Sequence, residues 1–265
     1  MADKTVQQLF DLTGKTALVT GGTGYLGTAF GDALAEAGAG VVISSTRSER
    51  GQAAAARLPS PGGAMHYSVV LDQADPDSIR EGFNAAVEAA GKIDVLVNNG
   101  LDAVGKDLAD ITFEEFLKHQ GNTAAYFELA RLLHDHVVER SAPGSVINLG
   151  SMYGQVGSYP DAYEGLCTAS PVAYQAHKGG TIQITRHLAV YWARDHVRVN
   201  CLSPGPFPNP SKVSETLLER LSTKLPMKRM GEPWELKGAL VFLASEASSY
   251  LTGQNLTLDG GWTAW

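Results

Sequence analysis

Residues Thr16–Gly27 read TALVTGGTGYLG. A β-branched and apolar run, Thr16 to Thr20, stops at Gly21-Gly22-Thr23-Gly24. An apolar pattern of helical spacing starts at Tyr25 and continues through Leu26, Phe30 and Leu34. The order is strand, glycine turn, helix. Such a turn aims free backbone N–H groups and the positive helix end at one spot, which suits a phosphate. Glycines serve there because a Cβ would block the turn or the approaching pyrophosphate. The strand before the turn and the helix after it are the context that a dinucleotide site requires.

Outward from this unit, strand and helix patterns alternate. Strands are expected at Gly40 to Ser45, Met65 to Leu71, Ile93 to Asn98, Gly144 to Leu149, Val197 to Leu202 and Asn255 to Leu258. Helices are expected at Ser48 to Leu58, Pro76 to Ala90, Phe113 to Glu139, Pro171 to Arg194 and Glu232 to Ala244. Ile93 to Asn98 is nearly all apolar, as in a strand covered on both faces. Six or seven parallel strands with intervening helices make an α/β fold, a doubly wound sheet of Rossmann type. No repeat or linker divides it, so residues 1–265 are read as a single domain with an N-terminal tail over 1–12. The irregular stretches, 152–170 and 204–228, are candidate binding loops or lids.

Composition narrows the function. A net charge of −7 and a pI near 5.5 argue against a nucleic-acid partner, which needs a basic face. The start, MADKTVQQLFD, lacks a leader's basic-then-apolar profile, and no apolar run reaches membrane-spanning length. Cys167 and Cys201 are far apart, which fits a reduced, cytoplasmic setting. The seven histidines form no metal constellation; His134 and His136, two apart on one helix, are read as surface residues.

Ligands of open α/β sheets sit at the carboxyl ends of the strands. Asn98, Asn99 and Gly100 follow strand four there, and Ser151 follows strand five. Tyr174 and Lys178, four apart, share one helix face. A nearby ammonium favours a phenolate and lowers the tyrosine pKa. Tyr174 then shuttles a proton to and from a substrate oxygen that Ser151 holds.

The chain thereby resembles the short-chain dehydrogenase/reductase family over essentially its whole length. The resemblance is carried by TGGTGYLG (20–27), Asp72, NNG (98–100), Asn122 in GNTAAYF, Ser151 in INLGSMYG, YQAHK (174–178), PG (204–205) and DGG (259–261). It implies an Asn122–Ser151–Tyr174–Lys178 tetrad. Tyr174 would be the acid/base. Lys178 would lower its pKa and bind the nicotinamide ribose. Ser151 would position the carbonyl, and Asn122 would anchor a water in a proton relay. It also implies nucleotide contacts from Gly21, Thr23, Gly24, Tyr25, Leu26 and Gly27 in the turn. Further contacts fall to Asp72 and Gln73 at the adenine edge, Asn98, Asn99 and Gly100, then Tyr174, Lys178, Pro204, Gly205 and Phe207.

Three departures stand out. Tyr25 replaces a glycine, giving TGxxGxxG, a spelling similar to that of nucleotide-sugar epimerases and dehydratases. The 87 residues after Lys178 are too few for the substrate domain of such enzymes. Tyr25 either covers the pyrophosphate or packs. NNAG has become NNGL, ending in Leu101. Ser151 and Tyr174 are 23 positions apart, longer than in typical relatives. The extra residues, within 157–170, and SMYG before them offer Tyr153, Tyr159, Tyr163 and Glu164 to a hydroxyl-rich substrate such as a sugar or polyol, with Asp161 beside them.

Strand two ends at Ser45, followed by Thr46 and Arg47, where an acid would repel a 2′-phosphate. Arg47 suits that phosphate, so NADP(H) is expected over NAD(H). Three prolines stiffen the loop after Pro204-Gly205. Trp262 and Trp265 suggest a subunit interface, and the resemblance implies a homotetramer or homodimer. The expected activity is hydride transfer between NADP(H) and a ketone or secondary alcohol. The alternatives are an epimerase or dehydratase that retains its nucleotide, and a non-catalytic nucleotide sensor.

Overall fold

The computed structural model describes residues 3–265; Met1 and Ala2, the start of the expected tail, lie outside the described residues. In chain order the elements are α1 (Val6–Phe10), β1 (Thr16–Val19), α2 (Tyr25–Glu36), β2 (Gly40–Ser45), α3 (Ser48–Ala56), β3 (His66–Val70), α4 (Pro76–Ala90) and β4 (Val95–Asn98). There follow α5 (Phe113–Glu139), β5 (Gly144–Leu149), α6 (Pro160–Tyr163), α7 (Val172–Trp192), β6 (Val197–Pro204), α8 (Glu215–Thr223), α9 (Lys237–Ala244) and β7 (Asn255–Leu258).

The strands form one parallel sheet in the order β3-β2-β1-β4-β5-β6-β7. Side chains alternate across it. Val19, Ile43, Val97 and Ile147 face the layer that includes Phe30 and Leu34 of α2 and Leu240 and Leu243 of α9. Leu18, Val42, Leu96 and Val146 face Phe83 of α4, Leu129 and Leu133 of α5 and Leu188 of α7. The strand order reverses between β1 and β4, and the glycine turn and Asn98–Gly100 meet at that crevice.

Several local readings change. The tail contains α1, closed by a Thr5/Gln8 capping box and seated with Phe10 on Phe242. The helix expected over Glu232 to Ala244 is a 3₁₀ turn, Pro233–Leu236, leading into α9. His134 and His136 are half-buried rather than surface residues. His134 stacks on Trp192 and contacts Asp195, while His136 accepts from the Ile93 amide. No described helix is long and apolar enough to cross a membrane.

Away from the crevice, buried Asp94 bonds Arg140 at 2.9 Å, the Thr16 amide at 2.9 Å and pairs with Lys92 at 3.2 Å. Burial pushes its pKa up, but these partners outweigh burial and hold it below the usual carboxylate range. A depressed folded-state pKa stabilises the fold above the unfolded value, near 3.9, and the contribution disappears as pH falls through the folded value. Asp94→Asn is expected to cost about 3 kcal/mol at neutral pH and to flatten the acid limb of stability. Chemical denaturation across pH checks this.

Candidate active site

The glycine turn is shaped by contacts that leave no room for side chains. Gly21 has φ 58°, and a Cβ there would lie 2.8 Å from the Gly100 Cα. A Cβ at Gly27 would lie 2.3 Å from the Gly21 carbonyl oxygen. Gly24 caps α2 without a side chain, so the helix N-terminus keeps amides free for an anion. Asn99 fastens the turn from the neighbouring strand, its Nδ2 donating to the carbonyls of Thr20 (2.9 Å) and Gly21 (3.1 Å). The Asn99 and Gly100 amides both donate to Thr20 Oγ1 at 2.9 Å. The NNGL spelling thus keeps a working clamp.

Asn98, expected among the nucleotide contacts, lines neither of the two cavities beside the turn. It is buried, donating to the Tyr126 carbonyl and to Asn148 Oδ1. As the last residue of a fully covered strand, it needs internal partners for its amide. Tyr25 is half-buried; burial and the nearby Glu232 carboxylate raise its pKa. It lines neither of the two cavities that flank the turn.

On one side lies a cavity of about 470 Å³ whose walls include Thr23, Ser44, Ser45, Thr46, Arg50, Asp72, Gln73 and Gly100. Ser44 Oγ and Gln73 Oε1 are buried with no partner among the described residues. Unpaired buried acceptors and donors call for a polar ligand. With the bare glycine turn beside them, they fit an adenosine and pyrophosphate. Arg47 is corrected here: it is exposed at the N-cap of α3 and outside the wall, whereas Arg50, one turn on, lines it. Lys118, paired with Asp102 at 3.3 Å, also reaches this cavity. Spacing of three between Arg47 and Arg50 was a signal that either could reach the site.

On the other side a cavity of about 240 Å³ joins Ser151, Tyr174 and Lys178 with Leu26, Asn99, Pro204, Gly205 and Phe207. β5 delivers Ser151, whose Oγ accepts from the Tyr153 amide at 3.1 Å. α7 delivers Tyr174 and Lys178. Lys178 is buried; its Nζ donates to the Leu149 carbonyl at 2.6 Å and stands 5.6 Å from the Tyr174 ring centre. Burial brings its pKa down to about 8. Burial lifts Tyr174 above the usual phenol range, opposed by hydrogen bonding with Ser151. The expected lowering of Tyr174 by Lys178 is therefore corrected for this geometry: the ammonium faces the Leu149 carbonyl and the ring.

The Asn122 side chain makes four hydrogen bonds. Its Oδ1 accepts from Gln73 Nε2 (2.7 Å) and the Asp102 amide (2.8 Å), and its Nδ2 donates to the carbonyls of Asp102 and His119. The side chain is fully used and does not line the Ser151–Tyr174–Lys178 cavity.

A family model described as enoyl-(acyl carrier protein) reductase matches residues 24–263. A tropinone reductase homolog from Arabidopsis thaliana is 34% identical over 96% of this chain and 94% of its own. Galactitol 2-dehydrogenase from Rhizobium johnstonii is 34% identical, covering 98% of this chain and 99% of its own. Among solved structures, a gluconate 5-dehydrogenase from Burkholderia cenocepacia in complex with NADP and tartrate superimposes with a TM-score of 0.87 at 28% identity, covering 98% of this chain and all of that one. The chain belongs to the short-chain dehydrogenase/reductase family. It is an NAD(P)-dependent oxidoreductase of that family.

In this short-chain dehydrogenase/reductase the insertion before α7 is anchored to the segment after β6. The insertion folds as α6 and docks on α8 of the loop after Pro204-Gly205. Lys224 pairs with Asp161 at 2.5 Å, and Arg220 donates to the Glu164 carbonyl at 2.7 Å. Tyr153, Tyr159 and Tyr163 pack with Trp262, Leu217 and Leu221, and the Tyr153 and Tyr163 hydroxyls are 2.7 Å apart. These tyrosines form a cap instead of lining the 240 Å³ cavity, and the Glu164 side chain is exposed. Trp262, expected at an interface, is 1% exposed, whereas Trp265 is 69% exposed.

Proposed function

We propose that this enzyme transfers a hydride between NADP(H) and a ketone or secondary alcohol of polyol type. The observation that carries the reading is the convergence of Ser151, Tyr174 and Lys178 in one cavity beside the glycine turn. NADPH, when bound, supplies the hydride. Tyr174 donates a proton to the substrate oxygen during reduction and withdraws it during oxidation. Ser151 holds that oxygen. Lys178, already a buried cation, binds the nicotinamide ribose and favours the phenolate once its ammonium turns from Leu149 toward Tyr174. Relatives named galactitol 2-dehydrogenase and D-arabinitol 2-dehydrogenase, 34% and 31% identical, support a polyol. The cap packs Tyr159, Tyr163 and Tyr174 in one cluster around Trp262. A cytoplasmic homotetramer or homodimer is part of the same proposal, and a monomer by light scattering would remove the assembly.

NADP(H) preference rests on the absence of an acid after β2 and on Arg50 at the cavity wall. Arg50→Ala is expected to weaken NADPH binding about tenfold while sparing NADH, and Arg47→Ala to change neither. Titrating tryptophan-sensitised nucleotide fluorescence reads both. Equal NADPH losses in the two variants would reject the assignment.

The activity itself is tested with galactitol, D-arabinitol and gluconate plus NADP⁺. Nucleotide reduction matched by ketone formation is expected. Tightly retained nucleotide without net reduction would favour the epimerase or dehydratase alternative.

A further inference from the structure

Lys178 is a buried cation without a counterion. Its Nζ donates to the Leu149 carbonyl at 2.6 Å, and among the described residues no carboxylate pairs with it. An ammonium taken out of water is costly unless other groups stabilise its charge. Two aromatic faces are placed to do so. The ammonium stands 5.3 Å from the Tyr126 ring centre and 5.6 Å from that of Tyr174. Both distances lie inside the roughly 6 Å at which the negative face of a ring attracts a cation, and the attraction strengthens where water is excluded. The two rings differ in duty. Tyr174 lines the catalytic cavity, whereas Tyr126, on α5, does not. Tyr126 is fully buried and fixed at both ends. Its hydroxyl donates to the Gly100 carbonyl at 3.1 Å, and its backbone carbonyl accepts from Asn98 Nδ2 at 3.0 Å. The His177 ring meets it in a T-shaped contact, 5.3 Å between centres at 77°. A ring fixed in this way presents one face in one orientation.

We propose that Tyr126 is a positioning residue whose ring face is the fixed seat of the Lys178 ammonium beside Tyr174. This rests on the reading of Tyr174 and Lys178 as the catalytic pair. When the ammonium turns from the Leu149 carbonyl toward the Tyr174 oxygen, it gives up one acceptor for another. The Tyr126 face is the contact it keeps, so the charge is not stranded during the turn. The hydroxyl joins this seat to the nucleotide side, because Gly100 lines the cavity that fits an adenosine. Around Lys178 the titratable groups are Tyr174 and His177 on its own helix, His119 and Tyr126 on α5, and Cys201 on β6; Asp102 acts on His119 from the loop after β4. Burial holds the Tyr126 phenol well above its usual range, so the ring stays neutral and acts through its face alone.

The test uses whole protein labelled with ¹⁵N at lysine Nζ, the Lys178 signal being identified by its loss in Lys178→Arg. In the wild type Lys178 is expected to titrate near 8. Tyr126 is replaced by phenylalanine, then by phenylalanines carrying one, two and three ring fluorines. Fluorine drains the negative face of the ring while its shape is nearly kept. Tyr126→Phe is expected to leave the titration close to 8. The fluorinated rings should move it down in order, the last by about one pH unit, a tenfold change in the ammonium-to-amine ratio. Tyr126→Leu, which removes the face, should match the last member. A ring that only filled space would give a level series, because all its members pack alike. A level series, or a folded Tyr126→Leu that still titrates near 8, would overturn the proposal. Should Tyr126→Leu fail to fold, the fluorinated series decides alone. Turnover of Tyr174→Phe, measured separately, judges the catalytic reading, so the two failures are distinguishable.

Discussion

Tyr174→Phe is expected to lower kcat by about 10²–10⁴-fold while leaving NADPH affinity close to that of the wild type. The aromatic ring and its packing remain; only the hydroxyl, the proton donor and acceptor, is lost. An interaction used in the transition state and not in nucleotide binding depresses kcat and kcat/KM together. pH adds a signed prediction. Burial raises the Tyr174 pKa, so near neutral pH the residue is a protonated acid, ready for reduction. Oxidation requires the phenolate and should climb with pH toward the Tyr174 pKa, which the Lys178 ammonium lowers once it turns toward the ring, whereas reduction should decline only as the phenol ionises. Steady-state profiles in both directions check this. A Phe variant with more than a tenth of wild-type turnover would remove Tyr174 from the chemistry.

Gly27→Val is the second large effect. Its Cβ would meet the Gly21 carbonyl oxygen at 2.3 Å, with Asn99 Nδ2 and Gly22 Cα each at 2.9 Å. Two of these three are backbone of the turn itself, so relief requires moving the phosphate cradle. The overpacking costs about 1–3 kcal/mol of stability. A displaced cradle is expected to weaken binding of both nucleotides at least about tenfold, because pyrophosphate is common to them. Gly121→Ala is the matched control. Gly121 lies on exposed α5 helix with nothing within 4 Å of an added Cβ, and alanine there should stabilise by about 0.4–1 kcal/mol. Thermal unfolding and nucleotide titration of both variants give the comparison.

Much of this was legible in the sequence for identifiable reasons. The strand–turn–helix at Thr16–Gly27 is local, and so is the start of α5, where the helical pattern begins at a Thr112/Glu115 capping box. The Tyr174–Lys178 face follows from helical spacing alone. What the sequence hid depends on long-range contacts. The Asn98 amide was claimed by Tyr126 and Asn148, and the Asn122 side chain by Gln73, 49 positions away, and by Asp102. Neither partner is visible in a motif. Arg50 lines the cavity beside the turn and Arg47, one turn earlier at the N-cap of α3, does not. The docking of the insertion on α8 joins residues 63 positions apart, Asp161 and Lys224. The start of α7 takes its cap from Asp107, 65 positions earlier, which donates nothing to the local pattern around Pro171. By contrast, the Thr5-x-x-Gln8 capping box was written in the tail and marks α1 directly.

The most direct test of the central claim follows the hydride itself. NADPH carrying deuterium at the transferable nicotinamide position is incubated with the wild-type enzyme and the ketoses corresponding to galactitol and D-arabinitol. One deuterium on the new carbinol carbon per nucleotide oxidised, lost with Tyr174→Phe, is the predicted result. A sugar product formed with the nucleotide recovered reduced and still fully labelled would contradict it.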